Sequence, residues 1–274
     1  MRNRGASPFR AVVAAVTVGV ASGGAAAQAQ RDLAVFAAGS LRAPLTEIAQ
    51  AFEAIHAGQR VVLTFGASGL LKDRIAGGEH ADVFASANME HPQALAVAGK
   101  AAPVTRFARN ALCALAAPGV AVTSNTLVER MLDPAVKVGT STPKADPSGD
   151  YAWMMFERVE KAGRSGAFKT LSEKARQLTG GPTSPPAPSG RNVYAALVSG
   201  GQVDIFITYC TNAKAAAAEV PALQVVEVPA QINVSADYGV TRTTDAVPLA
   251  ADFISFLLGR EGQSILARHG FAPA

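Results

Sequence analysis

Two hydrophobic rhythms alternate along the chain. Short, nearly continuous apolar runs at residues 33–37 (LAVFA), 60–65 (RVVLTF), 81–87 (ADVFASA), 110–119 (NALCALAAPG), 135–141, 203–210 (VDIFITYC), 223–228 and 237–242 predict strands. Between them, apolar residues recur at helical spacing. Leu45, Ile48, Ala49 and Phe52 share one face of a helix predicted over 43–56, and Tyr151, Met154, Met155 and Val159 share one over 149–163. Further helices are predicted at 70–78, stopped by Gly77 and Gly78, and at 89–99, 191–200 and 211–220. A final helical pair over 247–271 breaks at Gly259. Strand, helix, strand in this order predicts an α/β fold with a mainly parallel sheet covered on both faces. No internal repeat is visible.

Four strand-to-helix breaks share one chemistry: AAGSL with Ser40, GASGL with Ser68, DPSGDY with Ser148, and PSGRNV with Ser189 and Gly190. A small hydroxyl at such a break caps the first helical turn, whose N–H groups lack partners within the helix. The same groups, with the helix dipole behind them, bind anions. In an open parallel sheet the breaks gather at the carboxyl ends of the strands, where ligands bind. Arg42, Lys72 and Arg191 follow three of the breaks and read either as anion ligands or as solvated surface charges.

Composition narrows the picture. The 274 residues are 49% hydrophobic, enough for one large α/β domain or two lobes. The formal charge of +4 is concentrated at the start: Arg2, Arg4 and Arg10, then an apolar run over 11–20, then an Ala-rich stretch. That order predicts a secretory signal peptide over residues 1–29, cleaved after Ala27 or Ala29, in a run too short to span a bilayer. Without those three arginines, 22 basic residues face 21 acidic ones. A near-neutral mature chain with no basic–aromatic interleaving gives no footprint for nucleic acid. Export permits a disulfide, and Cys113 and Cys210 lie in or beside strands; the sequence leaves open a bridge or two buried thiols. Enzyme motifs are weak. STPK (residues 141–144) carries a proline inside an S-x-x-K pattern, the four histidines are scattered, and a serine hydrolase using Ser68 or Ser141 lacks an evident base.

The segments VFAAGSLRAPLTEIAQAFE, LTFGASGLLKDRIAGGEHADVFASANMEH, FITY and GREGQSILARHGF occur in order along nearly the whole mature chain. Together they resemble the periplasmic molybdate-binding proteins of ABC transporters. The resemblance implies the two-lobed periplasmic binding protein fold, each lobe a mainly parallel sheet flanked by helices, with the ligand in the cleft between lobes. It implies side-chain donors at Ser40 and Ser68, a backbone donor at Ser148, a further backbone donor at Arg191 or Asn192, and a hydroxyl donor at Tyr209. Two features depart from the family. YCTNA follows where the family has Gly, a small polar residue and Asp, and the loop over 179–190 is unusually rich in proline.

The expectation is therefore a periplasmic solute-binding protein, not an enzyme, that captures molybdate or tungstate and passes it to an inner-membrane ABC permease. Residues 30–109 with 230–274 are expected to form lobe one, and 110–229 lobe two. No resident cofactor and no direct metal ligand are expected, the metal arriving within its oxyanion, and the protein is expected to be monomeric. The alternative is the same fold binding another small anion such as an organic acid; Arg42 or Arg191 facing the cleft would favour it.

Overall fold

The computed structural model describes residues 31–185 and 190–274, with Met1 and Gly5. Apart from those two residues, the expected signal peptide lies outside the described residues, as does Ser189.

Strand β1 (Leu33–Ala38) turns through a single 3-10 turn (Gly39–Leu41) into helix α1 (Arg42–Ile55). Then come β2 (Val61–Gly66), α2 (Ser68–Ala76), β3 (Val83–Ser86), α3 (Glu90–Val97) and the long β4 (Thr105–Ala116). The chain continues through α4 (Leu127–Leu132), β5 (Val138–Ser141), α5 (Pro147–Lys161), α6 (Ala167–Lys174) and β6 (Arg176–Thr179). The last elements are α7 (Val193–Ser199), β7 (Ile205–Tyr209), α8 (Cys210–Glu219), β8 (Gln224–Glu227), β9 (Ser235–Arg242), α9 (Leu249–Leu258) and α10 (Arg260–Arg268).

Strand order is β2-β1-β3-β9-β4-β7-β5-β6, with β8 also on β4. Two parallel triplets, β2-β1-β3 and β6-β5-β7, match the strand–helix alternation. They are joined through antiparallel pairings of β9 and β4, and β8 adds a further antiparallel pairing on β4, so the sheet is mixed. Strands β3 and β5 are buried along their whole lengths, as strands covered on both faces are. Strand β4 serves both triplets: residues 105–111 pair with β9, and 112–116 with β7.

Helix α1 buries the face its periodicity predicts, Leu45, Ile48, Ala49 and Phe52. Phe52 meets Phe253 edge-on at 5.2 Å, packing α1 onto α9. The Ala-Asp-Val-Phe block has a structural role in Asp82, whose side chain is fully buried. Its carboxylate accepts hydrogen bonds from the N–H groups of Ala34 (2.8 Å) and Val247 (3.0 Å) and from Arg31 (3.0 Å). Such pairing is the condition for burying a charge.

The two cysteines form a disulfide between β4 and the first residue of α8, with Cα atoms 4.7 Å apart and a sequence separation of 97. Closing so long a loop removes much chain entropy from the unfolded state. Reduction, or paired Cys113→Ser and Cys210→Ser substitution, is expected to lower unfolding free energy by about 2–4 kcal/mol. Urea unfolding with and without reductant measures this, and coincident curves would contradict it.

Candidate functional site

The parallel strands β1, β2, β5 and β7 each end at a turn into a helix, and those turns converge on one chamber of 180 Å³. It is smaller than the pockets of about 300 Å³ and above that hold drug-sized ligands, and suits an ion or a molecule of a few heavy atoms. Its walls come from the 3-10 turn before α1 (Gly39, Ser40), the start of α2 (Ala67, Ser68), the cap of α5 (Asp146), the first turn of α7 (Val193, Tyr194) and the β7–α8 junction (Tyr209, Asn212). Helix starts present partial positive charge and N–H groups. Among the described residues the lining contains no lysine, arginine or histidine.

Ser40 does not cap α1 with its side chain. Its Oγ lies 2.9 Å from the hydroxyl of Tyr238 on β9. The Asn110 amide donates to that tyrosine oxygen at 3.5 Å. Either hydroxyl of the Ser40–Tyr238 pair can be the donor; when Tyr238 donates to Ser40, the Ser40 proton is left for another acceptor. Ser68 is fully buried and its Oγ accepts from the Ala87 N–H at 3.1 Å, which frees its own proton in the same way. Tyr209 is 2% exposed, and its hydroxyl is buried without any partner among the described residues. Burial holds the Tyr209 and Tyr238 hydroxyls well above the ordinary tyrosine range, so both stay neutral donors.

The remaining sequence-predicted residues lie elsewhere. Ser148 is not part of the lining. Its N–H is spent on Asp146 Oδ1 at 3.0 Å, because Asp146 rather than the serine caps α5. Arg191 and Asn192 also stand outside the chamber. Asn192 caps α7, accepting from the N–H groups of Tyr194 (3.0 Å) and Ala195 (3.1 Å), while its own N–H donates to Glu219 at 2.6 Å. Arg191 pairs with Glu219 at 3.1 Å. The Asn192 N–H and the Arg191 guanidinium together hold the Glu219 carboxyl below its usual range. The backbone donors expected at Ser148 and Asn192 are therefore committed inside the protein. Arg191 and Asn192 instead line an outer basin of 860 Å³ with Arg42 and Lys214. The basin shares Ser40, Tyr194 and Asn212 with the chamber.

Asp146, Tyr194 and Asn212 also stand in the wall and were not among the expected ligand donors. Asn212 belongs to the YCTNA departure. Its amide donates to the hydroxyls of Tyr194 and Thr208, both at 3.1 Å, and the Tyr194 hydroxyl also has those of Thr208, Ser141 and Thr179 as neighbours. Burial pushes the Tyr194 hydroxyl up to about 12. Asp146 carried a readable signal, an Asp-Pro pair at a helix start, where aspartate caps and proline takes the first helical position. Burial raises its carboxyl to about 6, opposed by hydrogen bonds from the Ser148 N–H and the Ser141 hydroxyl. Nearby, the Gly69 N–H donates to the Ala145 carbonyl at 2.9 Å, tying the first turn of α2 to the loop before α5. A Cβ at Gly69 would fall 2.6 Å from that oxygen, so only glycine permits this approach.

Known proteins share this framework. An uncharacterised protein of Pasteurella multocida is 36% identical over 242 residues, covering 88% of this chain and 98% of the relative. The molybdate-binding protein ModA of Mycobacterium bovis is 29% identical over 246 residues, covering 89% and 86% respectively. Among solved structures, the periplasmic molybdate-binding protein of Azotobacter vinelandii superposes with a TM-score of 0.70 at 18% identity, covering 89% of this chain and all of that one. That likeness establishes the two-lobed periplasmic binding protein fold, with its cleft between lobes. The model of the bacterial extracellular solute-binding proteins matches residues 33–272, and the chain belongs to that family of transport proteins.

Proposed function

We propose that the protein captures a tetrahedral oxyanion, molybdate or tungstate, in the inner chamber and delivers it to an inner-membrane ABC permease. The observation that carries this reading is the Tyr209 hydroxyl, buried in the chamber wall with no partner among the described residues. An unsatisfied buried hydroxyl costs about 1–3 kcal/mol, which a bound oxygen acceptor would recover. Ser40, Ser68 and Tyr194 supply further hydroxyl protons. Neutral hydroxyl donors and helix starts hold a desolvated anion through oriented dipoles. The name of the ModA relative points the same way.

In this reading the lobes divide as residues 30–109 with 230–274 and residues 110–229. Strand β4 carries the first crossing, where its partner changes from β9 to β7. The second crossing lies between β8 and β9. Ser40 and Ser68 belong to one lobe, and Asp146, Tyr194 and Tyr209 to the other, so the ligand links them. Binding shifts an open–closed equilibrium towards the closed form. The protein works as an exported, periplasmic monomer with no resident cofactor.

One observation supports a second reading. Arg42 and Arg191 line the outer basin that opens from the chamber. A small organic anion with an oxyanion head in the chamber and its remainder in the basin would use both spaces.

Thermal unfolding with molybdate, tungstate, sulfate, phosphate and small organic phosphate esters separates these readings. At a hundred times its dissociation constant, a ligand adds about 2.7 kcal/mol of stability, or roughly 5–10 °C in a chain of this size. Molybdate or tungstate is expected to give the largest shift. A larger shift from an ester, reversed by Arg42→Ala or Arg191→Ala, would support the second reading, and no shift from any of them would refute both. Tyr209→Phe is expected to act with opposite signs. It should weaken anion binding about 10- to 100-fold while leaving the unliganded protein as stable or more so, because the orphaned hydroxyl is gone.

A further inference from the structure

A carboxylate is an unexpected wall for an anion chamber. Asp146 lines the same cavity as Ser40, Ser68 and Tyr209. It is also held in place. Its Oδ1 accepts from the Ser148 N–H at 3.0 Å, and its other oxygen packs against Gly180 so closely that a Cβ there would lie 2.3 Å away. Gly180 has φ +73°, a conformation that glycine adopts without strain. Among the described residues no lysine, arginine or histidine forms an ion pair with Asp146, and its nearest charged influence is a second carboxylate, Asp150. The carboxylate therefore can neither swing away from a bound anion nor be neutralised by a neighbouring cation. Two negative groups confined to one small site do not both remain fully ionised.

We propose that Asp146 and the bound oxyanion share a single proton, so that a fully deprotonated dianion is captured together with one proton from solution. The inference rests on the oxyanion reading of the chamber and adds a selection rule to it. With a dianion that has no proton of its own, Asp146 takes up the proton and donates it to a ligand oxygen. With a ligand that carries an acidic proton, such as hydrogen phosphate, Asp146 stays ionised and accepts from the ligand hydroxyl, with no net uptake. No bond other than these hydrogen bonds forms or breaks.

The free protein is poised for the exchange. Burial already raises the Asp146 carboxyl to about 6, and an adjacent dianion raises it further. The other titratable groups around it do not compete. Tyr194, Tyr209 and Tyr238 are pushed upward by burial and stay protonated through neutral pH. Asp150, on the same helix, accepts from the Lys144 N–H at 2.7 Å and does not line the chamber. Its carboxyl is also raised by burial, so it is the necessary control.

The test is calorimetric titration of the protein with molybdate, from about pH 6.5 to about pH 8.5, in pairs of buffers with unlike ionisation heats. Above the Asp146 pKa, binding is expected to take up close to one proton, and affinity to fall about tenfold per pH unit. Asp146→Asn keeps an N-cap acceptor for Ser148 and puts a neutral donor in place of the carboxylate. It is expected to bind with no proton uptake, with pH-independent affinity, and more tightly than the wild-type protein at the alkaline end. Asp150→Asn should retain both the uptake and the slope. Molybdate binding by the wild-type protein without proton uptake and without pH dependence would overturn the proposal while leaving the oxyanion reading intact. Loss of uptake in Asp150→Asn, with retention in Asp146→Asn, would overturn the assignment to Asp146. Failure of molybdate to bind any of the three proteins across the range would overturn the oxyanion reading and this inference together.

Discussion

Each helix that walls the inner chamber begins with backbone N–H groups that have no partner within the helix. The parallel triplets β2-β1-β3 and β6-β5-β7 bring several of these starts to one place, because a parallel strand can only return through a helix that begins at its carboxyl end. Everything else at the site answers the question of what satisfies those groups. Asp146 does so for α5 and Asn192 for α7. At the first turn of α2, the Ala145 carbonyl takes the Gly69 N–H. Those N–H groups are spent, whereas the starts of α1, α2 and α8 carry no side-chain cap; side-chain hydroxyls add further donors, and the unpartnered one on Tyr209 is the clearest of them.

Much of this was legible in the sequence, and the reason is local. Ser40 and Ser68 sit where an apolar strand breaks into a helical period, and Tyr209 ends an unmistakable buried strand. The placing of Ser40 and Ser68 at carboxyl ends of strands follows from the strand-to-helix breaks, whereas the role of Tyr209 comes from the family resemblance. The capping roles at α5 and α7 were not legible to the same degree. In DPSG and RNV two polar residues stand side by side, and backbone geometry decides which takes the cap. The cap in turn decides whether a neighbouring N–H is free. Long-range contacts were likewise hidden: Tyr238 reaches Ser40 from 198 residues away, and nothing in either local pattern pairs them. The elements α4, α6 and β6 have no counterpart among the predicted segments; β6 (RQLT) is exposed over half its length and lacks the apolar run that marks the other strands.

The disulfide and the YCTNA departure belong to one feature. Cys210 bonds to β4 immediately after Tyr209, Thr211 accepts from Asn110 at 2.9 Å, and Asn212 reaches Tyr194. The segment thus anchors the tyrosine-bearing wall to β4, the strand that lies between β9 and β7 in the sheet, and it places Asn212 against a second tyrosine of the chamber. Opposite charges play little part in this wall. Its one ionisable carboxylate is negative, and the arginines stand outside at the basin. Recognition by hydroxyls and helix starts, with a proton-accepting group among them, discriminates by geometry and protonation state rather than by net charge.

The central claim is that the hydroxyls of Ser68 and Tyr209 hold a tetrahedral oxyanion in the inner chamber. A crystal structure of the protein grown with molybdate, with anomalous data collected at the molybdenum absorption edge, tests it most directly. The account requires one strong anomalous peak inside the chamber, with ligand oxygens about 2.6–3.0 Å from Tyr209 Oη and Ser68 Oγ. A peak confined to the outer basin or the surface, or a chamber without one at saturating molybdate, would contradict it.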